Sequence, residues 1–244
     1  MITLRNISRL LIGASTVSVL ALGSASAGAL NATTAAVKTD ATQARIQNII
    51  SKGDQEITRR LTSLNKLSGK ISGAQKLSDS SKSSLTTEVS NEITGLTALK
   101  TKLDAETTLD GAKADAQSIF SDYRVYALIM PKVHLVRLAD DEQVTAGKLS
   151  DIATKLQARI DSAKSSGKDV ATLTTQMAQL QQLIQTVQST ASSVETKVLA
   201  LEPSDYNSDH SVLSGYSQQL AATHQQNQQA YQLAKTMVGE LKSL

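Results

Sequence analysis

The sequence predicts an all-α protein built as an elongated antiparallel helical bundle with coiled-coil-like heptad packing. Aromatic residues are rare, with one Phe, five Tyr and no Trp among 244 residues, and only two prolines interrupt the chain. Apolar residues recur at spacings of three and four, which places them on one face of a helix. β-Sheet domains depend on aromatic and β-branched residues between frequent turn signals, and such segments are scarce here.

The N-terminus has the three parts of a secretory signal peptide, which we place at 1–27. Arg5 and Arg9 make its start positive, and Ala25-Ser26-Ala27 supplies the small residues that signal peptidase requires. The apolar stretch between them is about 13 residues long, and a bilayer-spanning helix needs roughly 20. The sequence therefore predicts export with cleavage near Ala27. The chain has no cysteine, which excludes disulfides and a thiol-linked lipid anchor.

The rest of the chain divides into a lead-in and one domain. Residues 28–41 are rich in Ala and Thr and lack a periodic apolar stripe, so they are predicted to form a flexible lead-in to a single helical-bundle domain at 42–244. Short turns let consecutive helices fold back at low entropic cost, which favours a monomer over a coiled-coil oligomer. Charges of both signs are interspersed, so no nucleic-acid partner is expected.

The first helix is predicted at 42–77, where Gly53 and Arg60 interrupt an otherwise regular apolar stripe. The Ser-rich run at 78–84 supplies capping side chains for a second helix, whose stripe covers 85–103. Both helices carry their apolar residues on one face.

The middle of the chain holds a short helix and the start of a long one. Thr107 and Asp110 resemble a capping box for the short helix. Pro131 suits the first position of the long helix, and the residue before a proline avoids helical dihedrals, so Met130 is predicted to be extended. Gly167 ends the long helix, with the following residues forming a turn.

The clearest periodicity lies at 170–201, where apolar residues alternate spacings of three and four over more than four heptads. Pro203 ends this helix, 204–209 is predicted to be a loop, and a last helix carries its stripe at 213–241. The Gln-rich run at 218–232 is predicted to be an exposed, solubilising face of that helix.

The segment 122–134 differs from the rest of the chain because it concentrates tyrosines, a run of apolar residues and a proline. One interpretation is an exposed recognition segment at one end of the bundle, with amphipathic tyrosine anchors and flanking positive charge. The other is a crossover linker whose apolar residues plug the bundle end. In the first interpretation, the contact residues are Tyr123, Arg124, Tyr126 and Lys132.

This segment, together with three motifs, resembles an uncharacterised family of exported, all-helical bacterial proteins with no assigned activity. The motifs are Ala114-Asp115-Ala116, Ile119-Phe120-Ser121 and Pro203-Ser204-Asp205-Tyr206-Asn207. The resemblance covers most of the mature chain. It implies export, helicity and a single domain, and it carries no site residues.

No enzyme, cofactor or metal site is predicted, and no small-molecule substrate is evident. The sequence holds three histidines, none spaced to share a metal ion with another ligand cluster. Asp140-Asp141-Glu142 lacks the alternation of a calcium loop and is predicted to be a solvated helix face. No phosphate-binding glycine loop or nucleophile elbow is present.

These observations favour an exported, non-enzymatic helical protein, a structural or binding component of the cell envelope or extracellular space. Its partner would be an unknown protein or envelope component. The alternative is a membrane-active helical protein that uses 125–138 as an apolar tongue. That segment contains Lys132, His134 and Arg137 and is too short to span a bilayer, so membrane contact is the less favoured prediction.

Overall fold

The computed structural model describes residues 27–244, with side chains from residue 37 onward, and every regular element in that range is helical. The predicted all-α bundle is confirmed. The predicted signal peptide lies outside the described residues, except for Ala27. The chain divides into two units, Met1–Thr42 and Gln43–Leu244, and both apolar cores lie in the second. The elements are α1 (Ala27–Gly73), α2 (Asp79–Asp104), α3 (Leu109–Ser121), a π-helical turn (Val125–Ile129), α4 (Met130–Ser165), α5 (Ala171–Leu199), α6 (Pro203–Ser208) and α7 (Val212–Ser243).

Several helix boundaries fall where local capping chemistry predicts them. Ser78 caps α2, since its hydroxyl oxygen accepts a hydrogen bond of 3.1 Å from the backbone N–H of Ser81. Gly167 follows α4 with a φ of 77°, a left-handed conformation that glycine adopts without steric cost. The cap of α3 lies one residue later than predicted, because Thr108 rather than Thr107 accepts the capping hydrogen bond.

Two predicted boundaries differ from the structure. α1 begins at Ala27 rather than near Thr42, so the segment 28–41 is helical; its alanines favour a helix. The predicted loop at 204–209 instead contains most of α6. Pro203 occupies the first turn of α6, where the missing N–H of proline would have no helical partner.

The prediction that Met130 is extended is wrong. Its φ of −65° and ψ of −46° are helical, and its backbone N–H donates to the carbonyl of Val125, five residues back rather than four. The chain thus forms a π turn directly before Pro131. The wider turn relieves the crowding that a proline ring imposes on preceding carbonyls, and it leaves Pro131 in the first turn of α4.

The buried apolar side chains of the second unit form two clusters. The first gathers residues from α1, α2, α3, the π turn, the start of α4 and the end of α5. The second lies where α4, α5 and α7 pack on one another. Heptad-type packing of α5 stays a prediction. Its predicted stripe is confirmed as the buried face of the helix, namely Leu173, Met177, Leu180, Ile184, Val187, Ala191, Val194 and Val198.

A buried polar layer lies between the two clusters along α4. Asp140 and Glu142 are only 4% and 7% exposed, so the prediction of a solvated helix face is wrong. The turn between α1 and α2 covers Asp140, whose Oδ2 accepts a 3.0 Å hydrogen bond from the backbone N–H of Ser78. α7 covers Glu142, whose Oε2 accepts a 2.6 Å hydrogen bond from the Asn227 amide. Acidic side chains become buried here because two other elements supply their donors.

Gly53 marks a close approach of α1 and α2, and its replacement tests the packing of the first cluster. A Cβ at residue 53 would clash with Cδ2 of Leu103, which is fully buried. We expect Gly53→Ala to lower the free energy of unfolding by about 1–2 kcal/mol, because overpacking outweighs the gain in helix propensity. Urea denaturation followed by far-UV circular dichroism measures this change.

Gly69→Ala is the matched control, since it lies in the same helix with no atom within 4 Å of its would-be Cβ. This variant should raise the free energy of unfolding by about 0.5–1 kcal/mol. Equal stabilisation by the two substitutions would contradict the close approach at Gly53.

Candidate functional site

The structure does not gather the four predicted contact residues of the segment 122–134 on one surface. Each packs against another part of the bundle: two reach α2, one reaches α6 and one reaches α1. Only one of the four joins a cluster of exposed aromatic and charged side chains. The four residues are Tyr123, Arg124, Tyr126 and Lys132.

Arg124 connects the segment to α6. Its Nε donates a 2.7 Å hydrogen bond to Oδ1 of Asn207, and its guanidinium carbon lies 5.5 Å from the centroid of the Tyr206 ring. The amide of Asn207 in turn donates to the backbone carbonyl of Ser121, at 3.0 Å. Arg124 therefore fastens α6 to the end of α3, and its charge is used within the fold.

Tyr123 packs against α2 at Gly95. A Cβ at residue 95 would lie 2.6 Å from the tyrosine ring, so the absence of a side chain there lets the ring approach. Burial raises the pKa of the Tyr123 phenol, and the negative charges of Glu92 and Asp122 raise it further. Tyr123 is thus partly buried and serves the packing between α2 and the segment.

Lys132 lies inside the bundle, although the sequence predicted an exposed charge. It is 2% exposed, and its Nζ donates to Oε1 of Glu88 at 2.6 Å and to the carbonyl of Leu201 at 2.8 Å. A cleft of about 580 Å³ adjoins the pair and is also lined by Glu92 and Glu202. We call this set of one lysine and three glutamates the Lys132 cleft.

Negative charge exceeds positive charge in the Lys132 cleft. Burial raises the pKa of Glu88, against the opposing effect of Lys132. Burial, together with the nearby Glu88 and Glu202 carboxylates, raises the pKa of Glu92 to about 7. Oε2 of Glu92 is buried and accepts no hydrogen bond. One ammonium does not neutralise three carboxylates, so Glu92 takes up a proton near neutral pH.

Tyr126 is the predicted contact residue that the π turn directs toward the surface. Its hydroxyl lies 3.0 Å from Oγ of Ser63 and donates to the backbone carbonyl of Arg59 at 3.2 Å. Tyr126 as a whole remains 38% exposed. π-Helical turns re-aim side chains in this way and are frequent at functional sites. The hydroxyl is therefore fixed to α1 while one side of the ring faces solvent.

Two arginines of α1 surround this ring. Arg60 is 5% exposed, and its guanidinium carbon lies 4.7 Å from the centroid of Phe120 and 5.4 Å from that of Tyr126. The guanidinium carbon of Arg59 lies 5.1 Å from the same Tyr126 centroid. At these distances a guanidinium is attracted to the negative face of an aromatic ring.

Glu56 orders the two arginines. Its Oε2 accepts hydrogen bonds from Arg59 at 2.7 Å and from Arg60 at 2.5 Å. Burial acts to raise the pKa of Glu56, but the hydrogen bonds from both arginines outweigh it and leave this pKa lowered. Glu56 is therefore ionised at neutral pH and holds both guanidinium groups beside the rings.

We define the aromatic–arginine patch as Arg59, Arg60, Phe120 and Tyr126. Its exposed parts are the Phe120 ring, 44% exposed, the Tyr126 ring and the Arg59 side chain, 60% exposed. Sequence reasoning found only Tyr126. The signal that could have found the patch is Arg60, a charged residue within the apolar stripe of α1. A buried arginine needs partners, and aromatic rings can serve as partners for a guanidinium. The segment that concentrates aromatic residues therefore indicates where those partners lie.

The apolar part of the proposed tongue, 125–138, lies in the first core cluster. Val125, Leu128, Ile129 and Val136 are each at most 1% exposed. Among the helices of residues 27–244, none is long and apolar enough to cross a bilayer. Release of this segment into lipid would require the first cluster to open.

The histidines occupy separate environments. Nδ1 of His224 lies 2.9 Å from Oε1 of Glu142, and the His210 ring lies edge-on to that of Tyr206, with centroids 5.0 Å apart. Within the part of the chain that the structure describes, no group of three His, Asp or Glu side chains is placed to hold a metal ion.

Comparison with known proteins gives no relative. No family model, no curated protein and no solved structure matches the chain. A functional assignment therefore depends on the geometry of the described residues.

Replacing Glu92 with Gln tests the electrostatics of the Lys132 cleft. The pKa of Glu92 is raised from 4.5 to about 7, so its contribution to stability is present at low pH and lost as pH rises through this interval. We expect this loss to be about 1–2 kcal/mol between about pH 5 and 8, below the full linkage value because Glu92 is partly exposed. The free energy of unfolding of Glu92→Gln should equal that of the wild type at the lower pH and be larger than that of the wild type at the higher pH.

The measurement is the free energy of unfolding in urea across this pH range. Asp151→Asn, which removes an exposed carboxylate of α4, is the control and should leave the pH dependence unchanged. If the free energy of unfolding fell equally steeply with rising pH in Glu92→Gln and in the wild type, Glu92 would not titrate near neutral pH.

Proposed function

We propose that this protein is an exported, non-enzymatic helical protein, a structural or binding component of the cell envelope or extracellular space. In this proposal the aromatic–arginine patch is the surface that contacts a partner macromolecule. One observation carries it: two partly exposed aromatic rings and an exposed arginine lie side by side, anchored by Arg60 and Glu56.

The composition and order of the patch support recognition. Aromatic residues and arginine are enriched at interfaces, and tyrosine and arginine dominate the residues that carry most binding energy. Because Tyr126 is hydrogen-bonded to α1 and Arg59 is bonded to Glu56, little side-chain freedom is left to lose on binding. Two arginines against one glutamate leave the patch with net positive charge, which suits a partner that presents a carboxylate.

The other parts of the proposal rest on the sequence. Export rests on the charged, apolar and small-residue parts of 1–27, and on the resemblance to exported helical proteins. The monomeric state and the heptad-type packing of α5 rest on short turns and apolar spacing. The non-enzymatic role rests on the lack of a recognised catalytic motif in the sequence.

Site-specific photocrosslinking tests the proposal. A benzoylphenylalanine in place of Phe120, in protein exported by its native host, should yield one dominant adduct with a protein or another envelope component. Val144 of α4 is 43% exposed and lies outside the patch, so the same probe there is the matched control. A lipid adduct at residue 120 would favour the membrane-active alternative. Equal adducts from both positions, or adducts with this chain alone, would contradict the proposal.

Arg59→Ala provides the quantitative prediction. Because Arg59 is exposed and contributes only its contacts with Glu56 and Tyr126 to the fold, its loss should leave the melting temperature nearly unchanged. We expect the affinity for the captured partner to fall by about tenfold or more, as for a truncated interface arginine. Affinity is measured by titrating the identified partner into each variant. Lys66→Ala, an exposed change in the same helix, should leave the affinity unaltered.

A further inference from the structure

A groove of about 1200 Å³ runs between α4 and α7 beside the turn that joins α1 to α2. It is separate from the aromatic–arginine patch and from the Lys132 cleft. Leu138, Leu149 and Ile152 give its α4 side an apolar lining. Typical small-molecule sites occupy about 300–1,000 Å³, so the α4–α7 groove has room for a ligand of several linked units.

The centre of the groove is a buried polar site. The Glu142 carboxylate, 7% exposed, is held from two directions: Oε1 lies 2.9 Å from Nδ1 of His224, and Oε2 accepts the 2.6 Å hydrogen bond from Asn227. Asn227 lines the groove and is 3% exposed, yet its Oδ1 accepts no hydrogen bond. This oxygen is closed off from solvent, so its unmet hydrogen bond is a cost to the fold and is not open to an entering ligand.

The α7 side of the groove adds hydrogen-bonding groups that the fold leaves unused. Gln225, Gln229 and Gln232 line it, are exposed, and form no hydrogen bond with another described residue. An amide donates and accepts at the same time, as a sugar hydroxyl does. Tyr231, 55% exposed, stands among these glutamines and offers an aromatic face to an apolar surface.

The charges of the groove favour an uncharged ligand. Asp141 is paired with Arg137 at 2.9 Å and with Lys76 at 3.4 Å, and Glu142 is engaged by α7. Among the described lining residues, Lys148 is the one lysine without a carboxylate partner, so no cluster of like charges remains to attract an ionic partner.

We propose that the α4–α7 groove binds an uncharged oligosaccharide. Its hydroxyl groups hydrogen-bond to the glutamine amides, and the apolar face of one sugar ring packs on Tyr231. This proposal is independent of the patch, so either can fail without the other.

The test is a nuclear magnetic resonance titration of the isotope-labelled full chain with cellotetraose, maltotetraose and fully N-acetylated chitotetraose, which are all uncharged. At least one of these probes should shift the amide resonances of the groove, with a dissociation constant on the order of 1 mM. Tyr231→Ala should weaken binding about fivefold or more, as expected for a lost aromatic contact, and Gln229→Ala should weaken it too. Gln179→Ala, an exposed glutamine of α5 outside the groove, is the matched control and should not change binding.

Three results would overturn the proposal. The first is the absence of groove shifts with every probe at about 10 mM, well above the expected dissociation constant. The second is binding that Tyr231→Ala and Gln229→Ala leave unchanged. The third is concentration-dependent shifts of the same resonances without sugar, which would make a second copy of the chain the occupant of the groove.

Discussion

The buried ammonium of Lys132 is the constraint on which the first core cluster depends. A charge removed from water must be paired and hydrogen-bonded, and Lys132 meets this need with a carboxylate of α2 and the carbonyl of Leu201 just beyond α5. Apolar side chains tolerate small shifts between helices, but a buried ion pair does not. The contacts of Lys132 with Glu88 and with the carbonyl of Leu201 therefore tie the start of α4 to α2 and to the end of α5.

The aromatic–arginine patch follows from the same contacts. Lys132 lies directly after Pro131, so fixing the lysine fixes the start of α4. The chain must then reach that point from the end of α3 in a few residues, and it does so through the π turn. This turn directs Tyr126 to α1, where Arg60 and Glu56 complete the patch. The excess of carboxylates around Lys132 lowers stability, and this cost accompanies the fixed position of the start of α4.

What the sequence could predict was local. The apolar stripe of α5 and the left-handed Gly167 depend on spacing and backbone chemistry within a few residues, and both are confirmed. The burial of Lys132 and of Asp140 depends on which distant elements cover them, and no local pattern carries that information. Met130 shows the limit of the rule that a residue before a proline avoids helical dihedrals. The π turn before Met130 changes the local backbone geometry, and Met130 is helical.

Native-state hydrogen exchange of Lys132→Met tests the central role of the lysine most directly. Removing the ammonium leaves the half-buried Glu88 carboxylate, 23% exposed, without its partner, which should cost about 3 kcal/mol, the lower end of the range for a buried pair. We expect the amide protons of Val125–Ile129 to lose at least about a hundredfold of protection, more than those around Leu180 in the second cluster. Lys155→Met, an exposed change in α4, serves as the control. Unchanged protection of the π turn in Lys132→Met would contradict this account.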